Sequence, residues 1–135
     1  MKSFKVILLA MAVAFAFVSC KKTGPIDNTF KQGDTGYKIN FSATVYPEDN
    51  HFTATISFPN GGPLYLGQHE VDEIGVGGYL GTHELPKYNY FYWDYEVFES
   101  GTAKISEKDG VVTLVVDAKL ENGQKLRIRA KSEKR

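Results

Sequence analysis

Histidine and carboxylate side chains are the residues of this 135-residue chain that could act as metal ligands or as acids and bases. The three histidines are His51, His69 and His83, and the last two each precede a glutamate. In a strand, adjacent side chains point to opposite faces, so a His-Glu dipeptide does not converge on one ion. The sequence contains no HExxH motif and no acidic calcium loop. We therefore expect surface histidines, with no metal, no cofactor and no catalytic residue, in a protein that is not an enzyme.

A tyrosine-rich stretch, KYNYFYWDYEVFESG at 87–101, is the best candidate for binding. The odd positions in 91–97 include the only tryptophan and no charge, so we assign them to the core of a strand. Three tyrosines then follow one another on the other face, about 7 Å apart. Such a ladder suits stacking on sugar rings or a flat protein partner. The alternative is an ordinary strand, in which tyrosine is common. The candidate binding residues are Tyr88, Tyr90 and Tyr92.

The single cysteine, Cys20, ends an N-terminal segment typical of exported proteins. Lys2 and Lys5 precede an apolar run at 6–18, which is the charge and hydropathy pattern of a signal peptide. The run is shorter than the roughly 20 apolar residues that a bilayer crossing needs. We expect a signal-peptide helix. No second cysteine exists for a disulfide within the chain.

The tetrapeptide Phe17-Val18-Ser19-Cys20 resembles the lipobox of bacterial lipoproteins, in which a small residue precedes the cysteine. In that family the cysteine thiol takes a diacylglycerol and the leader is cut before it. A thiolate is the nucleophile suited to this alkylation, and two or more acyl chains give stable membrane attachment. The resemblance implies a signal peptide at 1–19 and a lipid anchor at Cys20.

The segment CKKTG and the later SGTAKISEKDGVVTLVVDAKLENGQKLRIRAKS are similar to small lipoproteins of the Bacteroidetes type. These join a short tether to one β-domain of unknown function. Relatives that reach the cell surface often carry an acidic cluster directly after the cysteine, whereas the first acid here is Asp27. The resemblance implies an outer-membrane protein that faces the periplasm, with surface exposure as the alternative.

Charge and composition limit the classes of partner that the protein could bind and indicate its domain organisation. The chain has 16 basic and 16 acidic side chains, and removal of the leader with its two lysines leaves the remainder near neutral. Near-neutrality disfavours nucleic acid as a partner. Gly, Pro, Asp, Asn and Thr dominate up to residue 36, so we predict a flexible tether at 20–36 and a single domain at 37–135.

Alternating apolar and polar residues predict a hairpin at the start of the domain. A four-residue loop, PEDN at 47–50, brings the apolar faces of its two strands together. This register opposes Val45 with Phe52, Phe41 with Ile56, and Ile39 with Phe58.

The C-terminal third predicts three meandering strands, at about 98–107, 111–120 and 124–131. A two-residue Asp109-Gly110 turn opposes Ile105 with Leu114 and Ala103 with Val116. A two-residue turn at Asn122-Gly123 would mismatch the next pair of faces. A three-residue loop at 121–123, with Gly123 left-handed, instead opposes Ala118 with Leu126 and Val116 with Ile128.

Two further segments carry weaker signals. Between residues 63 and 86 the pattern is less regular, and GVGG at 75–78 predicts a turn or a flexible strand. The last strand presents a basic row, Lys125, Arg127, Arg129 and Lys131, on one face. We expect this row to be solvated and to discourage edge pairing, with attraction of anionic lipid as the alternative.

These patterns together predict an all-β domain, an antiparallel β-sandwich of seven to nine short strands. The alternative is a small lipocalin-like barrel with an internal cavity. The corresponding function is a membrane-anchored, non-enzymatic binding or accessory module of the cell envelope, with a glycan or an envelope protein as its partner. For the barrel, the function would be a carrier of a lipid or small apolar ligand.

Overall fold

The computed structural model describes residues 24–65, 68–86, 91–93 and 98–133 of the chain. The described residues form twelve β-strands and contain no helix of the length and apolarity that a membrane crossing requires. In chain order, the strands are β1 (Thr29–Gln32), β2 (Thr35–Lys38), β3 (Asn40–Tyr46), β4 (His51–Ser57), β5 (Leu64–Tyr65), β6 (His69–Glu70), β7 (Glu73–Tyr79), β8 (Gly81–Leu85), β9 (Phe91–Trp93), β10 (Phe98–Lys108), β11 (Val111–Leu120) and β12 (Lys125–Lys131).

The strands form two main antiparallel sheets. Sheet A has six strands in the order β2-β1-β12-β11-β10-β8, and sheet B has four in the order β3-β4-β7-β9. Strands β5 and β6 pair only with each other among the described strands. Each main sheet has two distinct edge strands, so the described strands close no barrel. The predicted all-β sandwich is confirmed, and the strand count exceeds seven to nine because several strands are very short.

The core lies between the two sheets and draws on both. Large side chains without measurable exposure come from sheet A, such as Leu114 and Ile128, and from sheet B, such as Phe52 and Ile56. Burying each such side chain contributes roughly 1.5–3 kcal/mol. With no disulfide available, this apolar packing is the main source of stability.

The predicted registers of consecutive strands are confirmed for the pairs that lie within strands, whereas the pair of Ile39 with Phe58 falls just outside β3 and β4 and stays a prediction. Strand β3 pairs with β4 so that Val45 opposes Phe52 and Phe41 opposes Ile56. In the turn between β10 and β11, Asp109 and Gly110 both have positive φ (52° and 84°), as a two-residue type I′ hairpin turn requires. The pairs across that turn and across the 121–123 loop are Ile105 with Leu114, Ala103 with Val116, Ala118 with Leu126, and Val116 with Ile128.

The tether prediction is wrong for residues 29–36. These residues belong to the β1–β2 hairpin, and β1 pairs with β12 at the other end of the chain. Phe30 of β1 is fully buried, and its ring lies 5.0 Å from that of Phe58. The glycine and aspartate that suggested a tether form the hairpin turn instead, with Gly33 at φ 62°.

The glycine-rich stretch at 75–78 is a strand, and not a turn. It lies in β7, which pairs with β4 on one side and β9 on the other. Ile74 and Val76 of β7 are buried in the core. Neighbours on both sides supply the hydrogen bonds and the burial that the glycines themselves do not provide.

Candidate binding face

Most of the residues predicted to carry the lipid anchor or to bind a ligand lie outside the described part of the chain. This applies to Cys20, the predicted lipid anchor, and to Tyr88 and Tyr90 of the tyrosine ladder. The third tyrosine, Tyr92, lies in β9, where its backbone pairs with Gly77 of sheet B. The orientation of the ladder therefore stays a prediction.

The three histidines lie in different surroundings. His69 is exposed on the short strand β6. His83 of β8 donates a hydrogen bond from Nε2 to the backbone carbonyl of Tyr79, at 2.7 Å. His51 is half-buried on β4, between two tyrosines. Within the described residues, no three His, Cys, Asp or Glu side chains come together as a metal site would require.

An aromatic row, made of Tyr46, His51 and Tyr79, crosses the outer face of sheet B. The strand pairing sets His51 opposite both Tyr46 of β3 and Tyr79 of β7. Each tyrosine ring lies 5.8 Å from the histidine ring, the first stacked and the second edge-on. Tyr46 is 45% and Tyr79 38% exposed. Together with Leu64, they are the most exposed large apolar side chains that the structure describes.

The aromatic row was not predicted from the sequence, although the predicted hairpin register already placed two of its three residues together. The hairpin register that opposes Val45 with Phe52 also opposes Tyr46 with His51, one residue further out. Tyr79 gave no such signal, because β7 follows β4 only after two intervening short strands. Its place beside His51 depends on the pairing of β4 with β7.

A hydroxyl platform, formed by Ser42, Thr44, Thr53 and Thr55, continues the same face beside the aromatic row. Thr44 pairs with Thr53 and Ser42 with Thr55, so their side chains form two adjacent cross-strand rows. The β3 members are exposed and the β4 members half-buried. The side chains of the row and the platform provide aromatic faces, hydroxyl groups and one imidazole, and none carries a fixed charge.

The outer face of sheet A has a different chemistry, because it carries ionic side chains. Lys104, Arg127 and Lys131 are exposed there. Arg129, in contrast, is 3% exposed. The prediction of a solvated basic row is therefore wrong for Arg129, and it agrees with the exposure of the other three members of the row.

The guanidinium of Arg129 is held by an array of acceptors. Its Nη2 donates to both carboxylate oxygens of Asp117, at 2.9 and 3.0 Å. Its Nη1 donates to the backbone carbonyls of Val116 and Ile128, at 3.2 and 2.9 Å. Pro25 and Asp27 line the cleft beside it. Since these bonds engage both Nη atoms with protein acceptors, we assign Arg129 a structural role.

The two outer faces therefore suit different ligands. The aromatic row can stack on flat apolar surfaces, and the hydroxyl platform can donate and accept hydrogen bonds next to it. Comparison with known proteins finds no matching family model, no similar curated protein and no similar solved structure. The functional proposal accordingly depends on the geometry of this face.

Proposed function

We propose that this protein is a lipid-anchored, non-enzymatic module of the bacterial cell envelope that binds a neutral glycan on the outer face of sheet B. The observation that carries the proposal is the aromatic row beside the hydroxyl platform. Sugar rings have apolar C–H faces and a rim of hydroxyl groups. The aromatic rings of the row can stack on the C–H faces, and the hydroxyl groups of the platform can form hydrogen bonds with the hydroxyl rim.

The absence of charge in the aromatic row and the hydroxyl platform favours a neutral ligand; the exposed acid Glu73 lies at the other end of β7 from the row. The aromatic row and the hydroxyl platform contain no Asp, Glu, Lys or Arg. An acidic polysaccharide would find no basic partner within this set, whereas sheet A carries the exposed lysines and arginines. A neutral polysaccharide loses no ionic hydration on binding to such a surface.

The anchor supports the placement of this module at a membrane. The apolar run and the Ser19-Cys20 pair resemble a lipoprotein signal, and a diacylglyceryl cysteine would hold the domain at the bilayer surface. The periplasmic face of the outer membrane is the location that we propose. The carrier alternative requires an enclosed cavity, whereas the apolar side chains of the two described sheets pack against one another.

Affinity electrophoresis of the detergent-solubilised full chain in gels that contain soluble neutral polysaccharides tests the proposal. We expect at least one neutral polysaccharide to retard the native chain. Tyr46→Ala and Tyr79→Ala should each weaken binding by about tenfold, which corresponds to about 1.4 kcal/mol. Lys104→Ala, on the outer face of sheet A, is the matched control and should bind like the native chain.

Two results would contradict the proposal. One is a native chain that no neutral polysaccharide retards. The other is binding that survives both tyrosine substitutions, because the ligand would then lie elsewhere. Circular dichroism of each variant checks that both tyrosine variants keep the fold, as we expect for side chains on the outer face.

A further inference from the structure

Among the described strands, β3 is an edge of sheet B, and its own residues lack the usual protection against pairing. Its seven residues, NFSATVY, include no charge and no proline. The edge strands of sheet A are shorter: β2 and β8 have four and five residues, each with a charged residue. Short length and charge are the devices that prevent edge-to-edge association. Among the described edges, β3 is therefore the one best suited to accept another strand.

Clefts border β3 along its length. One, of about 350 Å³, is lined by residues 40–43 together with residues 131–133. The other, of about 370 Å³, is lined by residues 43–45, Pro47 and part of the β10–β11 hairpin, including Glu107. In the described part of the chain, the space beside β3 is thus open at both of its ends.

We propose that β3 pairs with β3 of a second copy of this chain, antiparallel and about a two-fold axis at Ala43. Closed two-fold contacts are the commonest arrangement in oligomers, and they require a surface that is complementary to itself. Strand β3 meets this requirement from Phe41 to Val45, where every pair joins two apolar or two polar side chains. The pairs are Ala43 with Ala43, Phe41 with Val45, Ser42 with Thr44, and Asn40 with Tyr46 of the second copy.

The alternation along β3 fixes this register. The pairing is confined to residues 40–46, because the chain turns at 47–50 and Lys38 is already paired within β2 of sheet A. A shift of one residue would oppose apolar with polar side chains.

The dimer would join the two copies of sheet B into one continuous sheet. Both aromatic rows would then lie on the same outer face, and the two Tyr46 residues would be roughly 20 Å apart along the strand direction. Two linked sites on one face bind a repetitive polymer more tightly than one site does. The pairing itself depends only on β3, and it does not require the proposed glycan function.

Native mass spectrometry of the detergent-solubilised full chain measures the pairing directly. We expect the native chain to be a dimer. In the double variant Ser42→Lys with Thr44→Lys, each lysine lies opposite a lysine of the second copy. Since like charges directly opposite destabilise paired strands, dimer dissociation should become at least about tenfold easier.

A charge-matched variant provides the control. Ser42→Lys with Thr44→Glu changes the same two exposed positions, yet it sets lysine opposite glutamate in the proposed register, so the dimer should return. The inference is overturned by a native monomer, by a Lys/Lys variant that stays dimeric, or by a Lys/Glu variant that stays monomeric. Circular dichroism spectra of both variants that match the spectrum of the native chain show that the fold is kept. The readout is mass, so it is independent of glycan binding.

Discussion

At the scale of single residues, burial decides what an ion pair contributes. Two ion pairs of β11 illustrate this, since Asp117 contacts the nearly buried Arg129, whereas Lys119 contacts Glu99 with both side chains about half exposed. An exposed pair contributes little because water competes for both charges. Loss of the partner of a buried charge is costly because that charge stays desolvated.

We predict that Asp117→Ala lowers the free energy of unfolding by about 2 kcal/mol, between the values for exposed and fully buried pairs. The reason is that Arg129 would lose both of its carboxylate contacts while it remains covered. Urea denaturation followed by tryptophan fluorescence measures the change. Glu99→Ala, which removes the exposed contact with Lys119 of the same strand β11, is the matched control and should cost less than about 1 kcal/mol. Equal losses for the two variants would contradict the prediction.

At the scale of elements, the β1–β2 hairpin extends the domain toward the N-terminus. Phe30 of β1 packs edge-on against Phe58 and lies 6.2 Å from the ring of Tyr37. Strand β1 also continues sheet A through its pairing with β12. The hairpin therefore covers part of the core, and the connection to any membrane anchor is shorter than the sequence pattern suggested.

We predict that Phe30→Ala lowers the free energy of unfolding by about 3 kcal/mol or more, because it removes a fully buried aromatic ring and leaves a cavity. Lys31→Ala, the next residue along the strand, is exposed and should change stability by less than about 0.5 kcal/mol. Thermal and urea unfolding of both variants measure the difference. If residues 29–36 were a flexible tether, the two substitutions would have equally small effects.

At the scale of the whole molecule, the two outer faces differ in chemistry, and we propose a lipid anchor at the N-terminal side of the domain. The outer face of sheet B carries the uncharged aromatic row and hydroxyl platform, with Glu73 at the end of β7 away from the row. The outer face of sheet A carries lysine and arginine side chains. The proposed anchor at Cys20 is separated from β1 by only eight residues, 21–28. A short connection of this kind would hold the domain close to the bilayer.

We predict that the chain isolated from its producing cell begins at Cys20 and carries acyl chains there. Mass spectrometry of the N-terminal peptide should show the added lipid mass. Cys20→Ala should keep residues 1–19 and carry no lipid, because the acceptor thiol is absent. Ser19→Ala keeps a small residue before the cysteine and should be processed like the native chain. A native chain with a free thiol or an intact leader would contradict the prediction.

The sequence by itself determined the local architecture. The opposition of Val45 with Phe52 and of Ile105 with Leu114 followed from alternation and turn residues. The left-handed Gly123 followed from the same comparison of faces. These features were predictable because consecutive antiparallel strands are joined by short turns, so a few neighbouring residues specify which side chains meet.

Only the tertiary structure decided which distant segments meet. Thr29 pairs with Arg129 at the other end of the chain, and Tyr79 joins His51 through the pairing of β4 with β7. The burial of Arg129 and the edge position of β3 among the described strands also depend on which strands become neighbours. Local patterns do not encode these contacts, because long-range pairing is selected by the total apolar surface that the packed sheets remove from water.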